Sequence, residues 1–426
     1  MNIHVVRSGE TLEAIARRFG VDADWLGACN AVPPDQTLAV GQTLVIRVPR
    51  QSVQVRSGDT LSALASRYGV SIRDLWRRNW PLGGGTRLRP GQTVVISYRD
   101  ETPLGSAAFN GYAYPFITPS LLEVQLPYLT YLTPFTCGIS AAGELIPLDD
   151  DTLRAAAVVR GTRPVMHLST LTEQGDFTSA RGELVLTDPE VQDRLIAEVV
   201  ETAEEKDCAG VDVDFEYLPV HLGDEYAAFL AKLRGQLRAR RRFLWAALAP
   251  KTRRNQPGLL YEAHNYAAIG RAVDAVLLMT YEWGYTAGPP MAVAPLPNVR
   301  AVLDYAVTEI PPRQIYLGVP NYGYDWTLPF IQGESRARSI SNQRAIQIAA
   351  EYGVAIQYDE TAQSPFFHYT DRAGRVHEVW FEDARSLDAK LRLIAEYGFQ
   401  GGGIWNLMRP FSQIWLLLDA LYQIED

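Results

Sequence analysis

A chain of 426 residues with 47% hydrophobic and 21% charged residues has the composition of an ordinary globular protein, which excludes disordered, collagen-like and coiled-coil classes. It is too long for one ordinary domain, so more than one fold unit is expected. The net charge of −9 argues against a nucleic-acid partner, and it is unevenly spread: residues 1–99 carry 13 Arg against 7 acids, a balance of +6, which leaves −15 for the rest.

That asymmetry fits a basic anchoring part ahead of an acidic catalytic part. The opening Met1-Asn2-Ile3-His4-Val5-Val6-Arg7 runs straight into patterned sequence, and no later run reaches the ~18 apolar residues of a membrane helix, so neither a secretion signal nor a membrane insertion is expected. Cys29, Cys137 and Cys208 lie far apart without ligand spacing and read as buried, reduced core residues. Nor do His4, His167, His221, His264, His368 and His377 show such spacing, so no metal and no cofactor is expected.

The first hundred residues are an internal repeat. VRSGETL at Val6–Leu12 returns as VRSGDTL at Val55–Leu61, an offset of 49 that persists through Ala16/Ala65, Gly20/Gly69, Leu26/Leu75 and Asn30/Asn79 and becomes 50 at Gly41/Gly91. Each copy predicts a strand, a Ser-Gly turn, a helix capped by Thr11 and ended by Gly20, a second short helix over about Asp22–Asn30, and a closing strand over Thr43–Val48. The SGxTL turn, the AxxxG pattern, the Asn and the GQxLxI-type ending resemble LysM modules. That resemblance implies binding of N-acetylglucosamine-containing glycans at the turns after Ser8-Gly9 and Ser57-Gly58, with avidity from the pair on a polymer. The boundaries drawn are 1–49 and 50–98 for the modules and 99–106 for a linker containing Pro103 and Gly105.

From residue 107 to 426, apolar strand-like runs alternate with helical stretches, which predicts an α/β fold with a parallel sheet. Eight candidate strands, Ala108–Tyr112, Tyr131–Thr136, Pro164–Leu168, Gly210–Phe215, Phe243–Ala247, Ala275–Met279, Ile315–Val319 and Gly402–Trp405, suit a (β/α)8 TIM barrel. Residues of about 330–380 are too many for one crossover and read as a small α+β insertion between strands seven and eight, with strand-like Ala355–Tyr358 and Val376–Phe381.

The chemistry concentrates in Gly210-Val211-Asp212-Val213-Asp214-Phe215-Glu216. As a strand, it sends Asp212, Asp214 and Glu216 to one face, in a column about 13 Å long at ~3.3 Å per residue. Glu216 stands at the C-terminal mouth, where barrel active sites lie. Three acids inside a barrel raise one another's pKa unless a proton is shared, so a structural role is a poor explanation for them.

This run resembles the DGxDxDxE signature of glycoside hydrolase family 18, the chitinase-like TIM barrels, with Ala209 in place of its first Asp. The resemblance implies that Glu216 is the general acid/base, that Asp214 orients the substrate N-acetyl group, and that Asp212 shares a proton or hydrogen bond with Asp214. It further implies retention of configuration, with the 2-acetamido group attacking the anomeric carbon to give an oxazolinium intermediate. Met279-Thr280-Tyr281-Glu282-Trp283 is similar to the family's MxYD element, with Glu282 for Asp and Tyr281 placed to bond the acetamide carbonyl. Trp405 would floor the reacting sugar. Asn321 and Tyr322, opening the polar and aromatic run Asn321–Trp326, would line the sugar groove.

The modules, the barrel and the phrases at 279–295 and 318–329 together resemble the spore-cortex-lytic and sporulation-associated N-acetylglucosaminidase branch of the family. That branch implies a peptidoglycan partner, a monomer, and a place in the spore coat or cortex, or alternatively at the cell wall. A chitinase or chitin-oligosaccharide hydrolase would share the catalytic strand, and a lectin-like binder would share the barrel but lack the acid.

Overall fold

The computed structural model of the protein describes residues 1–34, 36–82, 85, 87–99, 102–172 and 178–426. Each N-terminal copy is a βααβ unit whose ends are set by local chemistry. Thr11 accepts from Ala14 N at 3.2 Å and starts the helix Leu12–Phe19, which Gly20 ends in the left-handed region at φ 68°. Thr60 and Gly69 do the same for Leu61–Tyr68. Asn2–Val5 pairs antiparallel with Thr43–Ile46, and Pro49–Gln54 with Thr93–Tyr98. The repeated asparagine is a buried bracket: Asn30 accepts from Val45 N at 2.7 Å and donates to Val45 O at 2.9 Å and Leu26 O at 3.0 Å. Asn79 makes the same three bonds to Val95 and Leu75. With that bracket, a small apolar core suffices for each copy.

Both modules are docked on the barrel. Gln413, at the start of the last helix Ser412–Leu421, donates to Thr43 O at 2.6 Å and accepts from Thr43 Oγ1 at 2.9 Å, while Arg47 pairs with Asp419 on the same helix. In the second copy, Arg73 donates to the carbonyls of Pro127 at 3.0 Å and Gly161 at 2.8 Å, and Arg77 to Pro127 O at 2.7 Å. Part of the basic charge of residues 1–99 is therefore buried in this joint, where arginine's fork of donors satisfies loop carbonyls.

The parallel sheet closes into a barrel of eight staves: Gly105–Ala113, Tyr131–Pro134, a third in two pieces (Arg163–Pro164 and Met166–Ser169), Gly210–Asp214, Phe243–Leu248, Ala275–Leu278, Ile315–Pro320 and Gly401–Trp405. Val165, between the two pieces, still donates to Leu132 O at 2.8 Å. Every stave falls on a predicted run. The first starts at Gly105, inside the expected linker, because Tyr422–Ile424 pairs alongside it; positions 100 and 101 of that linker lie outside the described residues. Tyr131, Trp245 and Tyr316 pack across the entrance of the barrel, with ring centroids 4.9 Å and 4.7 Å apart, and the cleft opens at the C-terminal mouth.

The insertion is a five-stranded antiparallel sheet with the helix Asn342–Tyr352. It begins at Gly323, ahead of the expected residue 330, because Gly323–Thr327 turns back to pair with both Arg338–Ile340 and Val376–Trp380. All three cysteines are free and buried, and among the described residues no helix is long and apolar enough to cross a membrane.

The glycines Gly41 and Gly91 test the docking. Both sit at positive φ, 84° and 85°, so an alanine at either costs about 1 kcal/mol of backbone strain. A Cβ at Gly41 would also fall 1.9 Å from Ile356 O, whereas nothing lies within 4 Å at Gly91. Gly41→Ala is expected to lower the thermal unfolding midpoint well beyond Gly91→Ala in the full chain; equal midpoints would show that the first module does not lean on the barrel.

Candidate active site

Strand Gly210–Asp214 is buried along its length, with Val211 and Val213 turned to the helical layer and Asp212 and Asp214 turned to the barrel interior. Gly210 is required where the strand enters, since a Cβ would sit 2.2 Å from the Phe243 ring. Asp212 is 0% exposed and accepts from Tyr112 OH at 2.7 Å through Oδ2. Among the described residues, Asp212 Oδ1 and Asp214 Oδ1 have no hydrogen-bond partner. His167 Nε2 stands 3.9 Å from an oxygen of each aspartate, and its Nδ1 shares a 2.5 Å hydrogen bond with Thr136 Oγ1. Burial pushes the imidazole down to about 3, so it is neutral and leaves the two aspartates without a compensating cation.

Burial dominates all three acids. It lifts Asp212 to about 6 against the pull of the Tyr112 hydroxyl, and lifts Asp214 well above the usual carboxylate range, reinforced by the charges of Glu216 and Asp212. Glu216, one residue beyond Phe215 at the mouth and partly open to the cleft, is pushed up to about 7 by burial and then by Glu282. Ionising the whole column at once is therefore disfavoured, and the accessible acid, Glu216, is poised near neutral pH between donating and accepting a proton.

The mouth opens into a cleft of about 570 Å³ lined by Asp214, Glu216, Tyr281, Glu282 and Trp405 among others. Trp405 stands in an aromatic box with Tyr112, Tyr114 and Phe135, at centroid distances of 5.6, 6.3 and 4.9 Å. Glu282, with φ 67°, turns its carboxylate onto two phenols: Tyr322 OH donates to Oε1, and Tyr324 OH lies 3.0 Å from the same oxygen. Crowding around that carboxyl raises its pKa in spite of both tyrosines. Tyr217, beside Glu216, also has a positive φ of 56°, so left-handed residues flank the cleft on two strand ends.

Of the residues singled out from sequence, Asp214, Glu216, Tyr281, Glu282 and Trp405 meet in one cleft, with Asp212 beneath. Tyr322 reaches it only through Glu282. Asn321 does not reach it: 0% exposed, it donates to Asn406 O at 3.1 Å and Arg409 O at 3.0 Å and so holds the loop that follows Trp405. The run Asn321–Trp326 divides by alternation. Tyr322 and Tyr324 face Glu282, while Asp325 faces Arg338, Tyr369 and His377 inside the insertion. Tyr324 belongs to the run expected to line the groove, whereas Tyr112 and His167 are absent from the residues singled out in the sequence. A signal for Tyr112 and His167 existed, since both occupy inward alternate positions near the ends of barrel strands; His167 was weighed only as a metal ligand.

The profile described as "Glycosyl hydrolases family 18" matches residues 175–409, and the LysM domain matches 4–47 and 53–97. The chain is 40% identical over 430 aligned positions to the cortical fragment-lytic enzyme of Bacillus subtilis, covering 100% of this chain and 99% of that protein. Its structure is similar to the spore cortex-lytic enzyme SleL of Bacillus megaterium, with a TM-score of 0.83 and 38% identity, covering 99% of this chain and 98% of that one. The SleL enzyme of Bacillus cereus matches at a TM-score of 0.83 and 34% identity, covering 100% and 99%.

A carboxyl titration of Glu216, by NMR or infrared difference, is expected to give a midpoint near 7. Glu282→Gln should move it downward, because removing a neighbouring negative charge makes the Glu216 carboxylate easier to form. A midpoint near 4.5, unmoved by Glu282→Gln, would contradict the electrostatics described.

Proposed function

The chain belongs to glycosyl hydrolase family 18 and carries two LysM domains, and from that premise we propose that it is an N-acetylglucosaminidase of spore-cortex peptidoglycan working by retaining, substrate-assisted catalysis. One observation carries the reading: Glu216 and Asp214 line the same cleft, Glu216 with a pKa lifted to about 7 and Asp214 with one raised well above the usual carboxylate range by burial and by the charges of Glu216 and Asp212. Two carboxylates so coupled resist ionising together, so Asp214 is a poor covalent nucleophile, which favours one supplied by the substrate.

The steps follow from the residues. The sugar stacks on Trp405, and Asp214 accepts the acetamide N–H while Tyr281 OH donates to its carbonyl. The acetamide oxygen attacks the anomeric carbon as Glu216 passes its proton to the departing glycosidic oxygen. Positive charge on the oxazolinium ring is met by the charge left on the Asp214–Asp212 pair, with Tyr112 OH steadying Asp212. Glu216, now a carboxylate, takes a proton from water, which opens the ring from the face the leaving group vacated. The configuration is thus inverted twice.

Cortex peptidoglycan is favoured as substrate because the full-length relative at 40% identity is named a cortical fragment-lytic enzyme, whereas the di-N-acetylchitobiase of Rattus norvegicus aligns over only 53% of the chain at 27%. A spore-cortex location, with the LysM modules holding the glycan, follows from the same likeness.

The test is digestion of spore cortex, vegetative peptidoglycan and chitin oligomers by wild type and Glu216→Gln, with products weighed and the new anomer read by NMR. Expected are cortex fragments ending in N-acetylglucosamine of β configuration, and a loss on the order of 10²-fold or more in the variant. Undiminished activity in Glu216→Gln would refute the mechanism. Turnover of chitin alone would refute the substrate.

A further inference from the structure

The two copies of the repeat are nearly the same unit, yet the barrel treats them differently. In each, the turn after the first strand and the Gly-Gln turn before the last strand are joined by backbone bonds: Val6 N to Gln42 O at 2.9 Å and Gly41 N to Val6 O at 2.8 Å, repeated by Val55, Gln92 and Gly91 at 2.8 Å. The two turns thus make one end face per module. In the first copy, half of that face is closed. Gly41, Gln42 and Thr43 are buried, Ile356 N donates to Val40 O at 2.8 Å, and Thr43 is engaged by Gln413. In the second copy, Gly91 and Thr93 are exposed, Gln92 is half-buried, and nothing lies within 4 Å of a Cβ built at Gly91.

Charge supplies an independent difference. The open turns of the second copy carry Arg56 and Arg89, with Arg87 two residues earlier in the chain, all three exposed and, among the described residues, in no ion pair within 4 Å. The backbone of Arg89 is fixed in the turn by its N–H to Gln92 Oε1 at 3.0 Å. Asp59, the carboxylate in the neighbouring turn, is paired with Arg67 at 2.9 Å and feels the charge of Arg56 more weakly. The corresponding positions of the first copy are Arg7, Thr37 and Ala39.

We propose that the second module is the one that holds glycan, and that its ligand is an anionic strand: N-acetylated sugars bearing carboxylates on their lactyl or peptide side groups. The first module is a brace whose turn face is closed against the barrel. This rests on reading the modules as glycan-binding. A guanidinium meets a carboxylate with two parallel N–H donors, and each exposed pair is weak alone but recurs along a polymer. The second module presents Arg56 and Arg89 at its open turns, with Arg87 close by in the chain, and is itself held to the barrel by Arg73 and Arg77. Neutral chitin offers the sugars without the carboxylates. The first module cannot open its face without giving up its bonds to Ile356 and Gln413.

The experiment measures retention of the full chain on insoluble peptidoglycan and on chitin, at low and high salt, in a Glu216→Gln background so that the polymer survives. The triple variant Arg56→Gln, Arg87→Gln, Arg89→Gln should bind peptidoglycan about tenfold more weakly at low salt. It should also lose most of the salt dependence and keep its retention on chitin. Arg7→Gln should change neither. If Arg7→Gln is as damaging as the triple, the division between modules is overturned; if the triple binds peptidoglycan as tightly as its parent, the role of charge is. Ser8→Trp and Ser57→Trp, which block the turns sterically, report on the underlying reading. Loss in Ser57→Trp alone supports it together with the division, and no loss in either refutes glycan binding by the modules altogether. Turnover of a soluble oligosaccharide by each module variant with Glu216 intact checks that the chain is folded.

Discussion

Burial of three carboxylates in one barrel is the constraint around which the molecule is arranged. Asp212 and Asp214 lie under a neutral His167 and a single phenol donor, each with an oxygen that no described residue satisfies. Removing such groups from water is expensive, and the least costly state is one that shares protons. Tyr131, Trp245 and Tyr316 pack across the barrel below, and the cleft opens at the mouth. The electrostatic tension is therefore relieved at the mouth, through Glu216. A barrel selected for stability alone would fill this column with aliphatic side chains, so the acids mark where stability yields to chemistry.

The rim is built on the barrel's strand ends and loops and braced from outside by the insertion. Glu282 leaves strand six in a left-handed conformation and is caught by Tyr322 and Tyr324, where the chain passes from strand seven into the added sheet. Asn321, just before them, ties the loop after Trp405 through two carbonyls, and Asn342 on the insertion helix donates to Asn321 at 3.4 Å. That same asparagine accepts from Glu382 N at 2.9 Å, and Glu382 forms a fully buried ion pair with Lys390 at 2.8 Å. The backbone of Trp405, the carboxylate that tunes Glu216 and the insertion thus meet around Asn321 and Tyr322. A buried pair of this kind is costly to break from one side, which makes it a fixing point for register rather than a large source of stability.

The modules show how one sequence pattern serves two purposes. The Asn bracket, the Thr cap and the left-handed Gly recur in both copies because they build the unit. The Gly-Gln-Thr turn recurs as well, but in the first copy it is spent on the barrel. Identity of motif does not imply identity of exposure.

Periodicity alone determined the eight staves, the two βααβ units and the placement of Asp212, Asp214 and Glu216 on one face, because alternation along a strand and capping at helix ends are local rules. Tyr281, Glu282 and Trp405 were legible through the resemblance to the family's strand-end motifs, and barrel geometry agrees, since strand ends converge on the mouth. What lay beyond local rules was everything that depends on which segments meet. Asn321 and Tyr322 both look like groove residues in a polar aromatic run, yet only packing decides that one is sealed against the loop after strand eight and the other bonds Glu282. Tyr112 and His167 become site residues only when strands one and three close against strand four. The start of the insertion at Gly323 and the covering of the first module are settled by contacts between residues far apart in the chain. Such contacts depend on three-dimensional fit, which no sequence period encodes.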